Sequence, residues 1–266
     1  MPNQIWKALK SANRGPEIIR CATETPQWAH ISAAYLGLSG LQYPYLLRLR
    51  LGEPIRLEEL TDLKTFWQVF LRRVYRVQAA DRIILDVGAN IGLFTLYAAR
   101  RAPQARVFSF EPFPATFSRL LATVRDHHLD ARVTCLNYAA TGAGGVRVMR
   151  DGLVPSQRRT LASPSVNGIP GIQVLGKTLE AMLDENDLPR VDVLKMDIEG
   201  SEYEVLLSTS QKVLTRINRI ALEYHGDSGP YSKQQLCDHL RQAGFVVTWN
   251  VCDALGYGVT EMILKN

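Results

Sequence analysis

From residue 82 onward the chain repeats one rhythm, a short apolar strand pattern followed by a helical one, and this repeat restricts the fold more than any other feature. Apolar runs predict strands at 82–87, 106–111, 133–137, 191–197 and 219–224. Helical spacing falls between them at 92–101, 114–127, 179–186 and 201–214. Strands that alternate with helices build a mostly parallel sheet covered on both faces, because parallel neighbours need a long crossover. A helix at 232–243 then leads to strands at 244–249 and 258–264 with no helix between them, so these two pair antiparallel. Residues 142–177 break the rhythm. Their Gly, Pro and Ser content predicts a hairpin at 145–150 and an irregular loop over the sheet that carries Arg158 and Arg159.

Residues 1–80 follow a different plan and read as an appendage, a hairpin plus helices and a cap for the substrate, ahead of a domain at 81–266. A hairpin is expected across Gly52-Glu53-Pro54, then a helix at 63–75 capped by Thr61 or Asp62. The chain has 31 Lys and Arg against 26 Asp and Glu, and residues 1–80 hold eleven of the former and six of the latter, so the positive excess sits in the appendage. Such an excess suits an anionic substrate, a membrane surface or nucleic acid. No compact basic run appears, and a solvated face accounts for it equally simply. Four cysteines without a C-x-x-C pair read as buried thiols of a reducing compartment, which disfavours structural zinc. The N-terminus lacks the apolar core of a signal peptide, and the longest apolar stretch, 83–99, carries Asp86 and Asn90. A cytoplasmic protein with no transmembrane segment is the expectation.

In an open α/β sheet, ligands bind beyond the carboxyl ends of the strands. The first strand runs into Gly88-Ala89-Asn90-Ile91-Gly92, a turn whose glycines let the backbone approach a ligand. The second ends in Glu111-Pro112, a carboxylate placed for two ribose hydroxyls. A dinucleotide fingerprint would need glycines where Asn90 and Leu93 stand, which disfavours a nicotinamide oxidoreductase. Asp86 before the turn repels phosphate and attracts an ammonium or sulfonium, and S-adenosylmethionine carries both. The fourth strand stops at Asp197-Ile198-Glu199-Gly200-Ser201-Glu202, and the fifth at Glu223-Tyr224-His225, followed by a lid-like loop at 226–230. Carboxylates gathered at strand ends are costly unless they meet a cation or a donor. Lys195 offsets part of that charge, and Glu202 also reads as a favourable charge at a helix start.

The stretches Asp86–Gly92, Phe110-Glu111-Pro112, Thr178-Leu179-Glu180, Leu194-Lys195-Met196-Asp197-Ile198-Glu199-Gly200-Ser201-Glu202 and Leu222-Glu223-Tyr224-His225 together resemble the FkbM family of S-adenosylmethionine-dependent methyltransferases. The resemblance covers residues 60–225 and departs from the family pattern at Glu180 and at Ser208-Thr209-Ser210. It implies a class I methyltransferase, Rossmann-like fold with a seven-stranded sheet and an antiparallel last strand. It also implies methyl transfer to a hydroxyl of a sugar, glycan or natural product. Asp86, Gly88, Asn90 and Gly92 are then expected around the methionine part of the cofactor, Glu111 on the ribose, Pro112, Asn137 and Tyr138 near the adenine, and Asp197 as a further cofactor contact. His225 is the first candidate base, with Asp197, Glu199 and Glu223 beside it. A metal-assisted version would place Mg²⁺ on Asp197, Glu223 and His225. A nucleic-acid methyltransferase is disfavoured by the acids after the fourth strand, and a non-catalytic binding module by their number.

Overall fold

The computed structural model describes residues 14–150, 161–162, 171–225, 231–252 and 257–265. Arg158, Arg159 and the loop at 226–230 lie outside the described residues. The chain divides into two compact units, Met1–Val74 and Tyr75–Asn266.

In the first unit, α1 (Gly15–Glu24) and α2 (Trp28–Tyr35) precede strands β1 (Tyr45–Leu47) and β2 (Ile55–Leu57), which pair antiparallel. The next helix, α3 (Leu60–Phe66), begins before residue 63 because Glu59 and Asp62 form a reciprocal cap. It continues as a widened helical turn, Trp67–Arg72, and ends where Arg73 turns left-handed at φ 56°. Cys21, Ile31, Leu47, Leu57, Leu63 and Phe66 form the interior of this unit. The Tyr35 and Trp67 rings stack there with centroids 4.1 Å apart.

The second unit is built on a seven-stranded sheet. Its strands in chain order are β3 (Ile83–Val87), β4 (Arg106–Phe110), β5 (Val133–Leu136), β10 (Val193–Met196), β11 (Arg219–His225), β12 (Phe245–Cys252) and β13 (Tyr257–Leu264). Their spatial order is β12-β13-β11-β10-β3-β4-β5. All neighbours run parallel except β13, which is antiparallel to both β11 and β12. The helices α4 (Leu93–Arg101), α5 (Pro114–Asp126), α6 (Leu179–Asp184) and α9 (Lys233–Gln242) complete the predicted alternation. Where one helix is expected at 201–214 there are two, α7 (Glu202–Ser208) and α8 (Gln211–Leu214). Thr209 is extended, and the Ser210 hydroxyl caps the second helix by accepting from the Val213 N–H. The expected irregular loop is a second sheet of four strands, β6 (Ala139–Ala140), β7 (Gly145–Arg150), β8 (Leu161–Ala162) and β9 (Gly171–Lys177), in the order β6-β9-β7-β8. The hairpin expectation found β7 but not its main partner β9, because Gly171 and Gly176 hide the strand's alternation.

Alternation along the strands sorts the large sheet into two faces. Leu85, Val87, Phe108, Phe110, Leu194, Met196 and Leu222 face one way, into an apolar core with Leu179 and Met182 of α6 and Tyr203 and Leu206 of α7. Between them, the opposite face carries Asp86, Ser109 and Lys195 in one cross-strand row, since Asp86 pairs with Ser109 on one side and Lys195 on the other. Asp197 and Glu223 stand two residues further along β10 and β11. These polar residues therefore share one face of the sheet, towards the carboxyl ends of its strands.

Candidate active site

The turn after β3 is shaped by what lies under it. Gly88 adopts φ +80°, and a Cβ added there would come 1.9 Å from the carbonyl oxygen of Asp197, so only glycine fits. The Gly88 and Ala89 N–H groups donate to the Phe110 carbonyl at 3.0 and 2.9 Å. Asn90 is left-handed at φ 50°, and Gly92, at φ +85°, starts α4 against Leu120. The side-chain oxygen of Asn90 is buried without a hydrogen-bond partner.

Asp86 lies beneath this turn and is fully buried. Its carboxylate is taken by the protein itself, with Lys195 Nζ 3.1 Å from one oxygen and the Thr95 hydroxyl donating to the other at 2.7 Å. Thr95 also bonds Ser109 at 2.7 Å. Lys195 donates a further 2.7 Å hydrogen bond to the Gly88 carbonyl, which ties the pair to the turn. Burial works against the ammonium, but Asp86, Asp197 and Glu223 together hold its pKa above the ordinary lysine value. Asp86 therefore supports the turn from below instead of lining its surface.

Glu111 ends β4 as a buried carboxylate whose two oxygens each accept a backbone N–H, from Asn90 at 2.9 Å and Phe113 at 3.0 Å. Burial pushes its pKa up to about 7, against the pull of those two hydrogen bonds. Asn137 is exposed at the surface. Its amide donates to the carbonyls of Glu111 at 2.8 Å and Pro112 at 3.1 Å, fastening the end of β5 to the loop after β4. Tyr138 lies under the ammonium of Lys177, 3.8 Å from its ring centroid. Ala139 and Phe113 pack against Val174 of the second sheet, which so covers this side.

At the end of β10 the chain turns sharply through Glu199 at φ 55° and Gly200 at φ 99°. Glu202 holds that turn: its two carboxylate oxygens accept the N–H groups of Ile198 and Gly200, each at 2.8 Å, and the residue is fully buried. This is a structural duty, and it leaves Asp197 and Glu199 half-buried above it. Glu223 of β11 comes close to Asp197 through a residue that no motif marks. The Tyr75 hydroxyl donates to Glu223 at 2.9 Å and lies 3.4 Å from Asp197. The Tyr75 ring is buried, edge-on to Phe94 at 5.5 Å and 5.7 Å from Lys195 Nζ. Burial, then Asp197 and Glu223, push this phenol well above its usual pKa, so it remains a donor. Tyr75 also explains why the unit boundary precedes residue 81: its contacts belong to the second unit.

The structure thus brings Asp86, Gly88, Asn90, Gly92, Glu111, Pro112, Asn137, Asp197, Glu199 and Glu223 to one end of the sheet. His225 ends β11 with its backbone opposite Tyr257, and its side chain lies outside the described residues. Among the described residues no group of three or more His, Cys, Asp or Glu side chains is arranged to hold a metal ion. Asp197 and Glu223 face the Tyr75 phenol instead. Thr95, Ser109 and Lys195 complete the network, and their sequence signal is a polar residue inside an otherwise apolar strand or helix. A cavity of about 500 Å³ lies elsewhere, between α9 and β11–β13, lined by Tyr224, Leu236 and Met262 among others and by none of the site residues. Among the described residues, no helix is long and apolar enough to cross a membrane.

Comparison with known proteins agrees with this geometry. Residues 86–247 match the model of the methyltransferase FkbM domain. The chain is 30% identical over 225 residues to the AMB antimetabolite synthetase AmbE of Pseudomonas aeruginosa, a match covering 69% of this chain and only 10% of that much longer protein. It is 27% identical over 206 residues to the 31-O-demethyl-FK506 methyltransferase FkbM of Streptomyces tacrolimicus, covering 67% of this chain and 77% of the relative. With the hexuronic acid methyltransferase AglP of Haloferax volcanii it shares 27% identity over 225 residues, 85% of this chain and 81% of that one. Three strand ends that gather acids around a glycine turn, on a sheet whose β13 runs against its neighbours, are here the frame of one enzyme family, and the chain belongs to it: the FkbM methyltransferases, which are S-adenosylmethionine-dependent.

Proposed function

We propose that this protein transfers the methyl group of S-adenosylmethionine to a hydroxyl oxygen of a sugar or other small natural product. The observation that carries this reading is the approach of the Asp197 and Glu223 carboxylates, at neighbouring strand ends, to the one Tyr75 hydroxyl. A hydroxyl must lose its proton as it attacks, and a carboxylate within reach can take it. Two relatives, a 31-O-demethyl-FK506 methyltransferase and a hexuronic acid methyltransferase, support an acceptor of the sugar or natural-product kind.

The residues present suit the cofactor. The unpartnered buried oxygen of Asn90 can accept from the methionine ammonium, and glycine at 88 lets the turn that presents Asn90 pack against the Asp197 carbonyl. Glu111 spends one lone pair of each oxygen on a backbone N–H and keeps the others for the two ribose hydroxyls. Pro112 and Tyr138 flank the place expected for the adenine, and Asn137 holds that loop in position. Asp86 takes part through Lys195. When bound, the cofactor supplies an electrophilic methyl on a positively charged sulfur. The protein aligns the acceptor with that methyl, and alignment alone can supply roughly 7–11 kcal/mol of the barrier. His225, Asp197, Glu199 and Glu223 are the candidate bases.

Calorimetry with S-adenosylmethionine tests the cofactor, and a screen of sugars, hexuronic acids and polyketide alcohols with radiolabelled methyl donor tests the acceptor. Label that survives mild alkali is an ether, as expected here. Label released as methanol would be a carboxyl ester and would overturn the hydroxyl assignment.

A further inference from the structure

Residues 81–266 hold 20 Lys and Arg and 20 Asp and Glu, so this stretch is formally neutral and a local excess of one sign comes from the fold. Such an excess stands at the amino ends of β3, β4 and β5, the end of the sheet away from Glu111 and Asp197. Arg82 precedes β3, Arg106 opens β4 and Arg132 precedes β5. Backbone hydrogen bonds set them side by side, from the Arg106 N–H to the Arg82 carbonyl at 2.8 Å and from the Val107 N–H to the Arg132 carbonyl at 2.9 Å. Helix α4 runs back to this end and finishes at Arg101. The Arg132 guanidinium reaches it, donating to the carbonyls of Ala99 and Ala105, each at 3.2 Å. Arg82, Arg101 and Arg106 are exposed.

These charges are not answered within the chain. Among the described residues, no Asp or Glu oxygen stands within ion-pair distance of Arg82, Arg101, Arg106 or Arg132. The carbonyls that Arg132 meets are neutral, and Arg106 lies over the Phe108 ring, 5.0 Å from its centroid, so both groups keep their charge. Neighbouring acids are engaged elsewhere. Asp81 accepts from Arg219 at 2.7 Å, and Asp192 accepts the N–H groups of Arg82 and Ile83 and the Asn218 amide. Asp130, exposed two residues before Arg132, is outnumbered. Around β11 the arrangement is different: Arg216 pairs with Asp184 at 2.6 Å and Arg219 with Asp81 at 2.7 Å. A place at the end of α4 suits Arg101 through the helix dipole, but it gives no reason for Arg82 and Arg106.

Guanidinium groups recognise carboxylates and phosphates. Strands about 4.8 Å apart make three strand ends about 10 Å wide, a short footprint beside the roughly 6–10 phosphate contacts of a nucleic-acid site. No large exposed apolar side chain stands at 81–83, 100–106 or 130–133 to enter a bilayer. Acidic side chains one turn apart on a helix are about 5–6 Å from each other, close to the strand spacing. We propose that the amino end of this sheet docks an acidic helical segment of a partner protein, with Arg82, Arg101 and Arg106 meeting its carboxylates. The surface is at the far end of the strands from Gly88, Glu111 and Asp197, so a docked partner leaves the cofactor site open.

The test is fluorescence anisotropy of the full chain with a labelled helical peptide carrying Glu one turn apart, at low and at physiological salt. The expected result is salt-sensitive binding that Arg82→Gln, Arg101→Gln and Arg106→Gln together weaken about tenfold, the scale of three exposed ion pairs, with melting temperature and S-adenosylmethionine affinity unchanged. Arg132 is kept, because its guanidinium also ties α4 to the sheet. Should the triple variant melt earlier, Arg101→Gln alone should still weaken the peptide about twofold. Arg48→Gln with Arg56→Gln, two exposed arginines of the first unit, should bind the peptide as the unmodified chain does. Equal loss in that control would show a general attraction to a basic chain and overturn the proposal. So would peptide binding that is absent, or that the three arginines do not affect. An oligonucleotide of equal charge, or phosphatidylserine vesicles, held more tightly through the same arginines would also overturn it and assign the surface to that partner.

Discussion

Glu111 offers a quantitative test, because the site that holds its carboxylate also resists its ionisation. In the folded chain it titrates at about 7, against an ordinary value of 4.5, with burial as the leading cause. Between those two pH values the native state keeps a proton that the unfolded chain has lost, so stability falls as pH rises through this window and levels off above it. A separation of 7 − 4.5 = 2.5 pH units, at about 1.4 kcal/mol each, amounts to about 3 kcal/mol lost between pH 4.5 and pH 8. Glu111→Gln abolishes the titration while keeping one oxygen for the Asn90 or Phe113 N–H. Its amide faces the other N–H at a cost that does not vary with pH. Urea unfolding of the ligand-free protein and the variant at several pH values, at constant ionic strength, isolates the effect as a difference. The wild-type advantage should shrink by about 3 kcal/mol across the range. A difference that stays flat within about 0.5 kcal/mol would refute the reasoning. The same carboxylate must be ionised to accept both ribose hydroxyls, so S-adenosylmethionine binding at pH 6 should expel close to one proton. Calorimetry in two buffers of different ionisation enthalpy measures that release.

Three further outcomes follow from single contacts. Lys195→Met leaves Asp86 charged, fully buried and without its ion pair, which should cost about 3–5 kcal/mol in urea unfolding, whereas Lys195→Met with Asp86→Leu should recover much of it. Gly88→Ala drives a methyl to 1.9 Å from the Asp197 carbonyl in a left-handed residue, so the variant should lose S-adenosylmethionine binding by calorimetry and melt earlier. Ser210→Ala removes the cap of α8 and should lower stability by about 1 kcal/mol with cofactor affinity unchanged, a check that distance from the site spares binding.

Much of this was legible because the sheet obeys short-range rules. Alternation of strand and helix located β3, β4, β5, β10 and β11, and the absence of a helix between β12 and β13 gave their antiparallel pairing. The glycine turn, Glu111 and the acids after β10 stood out for a physical reason: charges at the end of an apolar run need a partner, and the chain around them offers few. Misreadings fell where local chemistry overrode pattern. The helix expected across 201–214 is broken because Ser210 offers a new start that periodicity does not register. The second sheet stayed hidden because glycines carry no alternation. Glu202, equally consistent by pattern with a site or with a helix start, holds the turn from Ile198 to Gly200 in the structure.

Asp86 shows the limit most clearly. Its position before the turn invites a reading as a ligand contact, and only the pairing register reveals that Lys195 stands directly opposite it on β10. Which residues Asp86 meets depends on strand order, since β3 lies between β4 and β10 and pairs Asp86 with both Ser109 and Lys195. Lys195 stands against Asp86 and also feels Asp197 and Glu223, which lie two residues further along their strands. A phenol from eight residues before β3 then stands between them. Sequence gives the number of charges at the strand ends, but the order of the strands decides which of them meet one another.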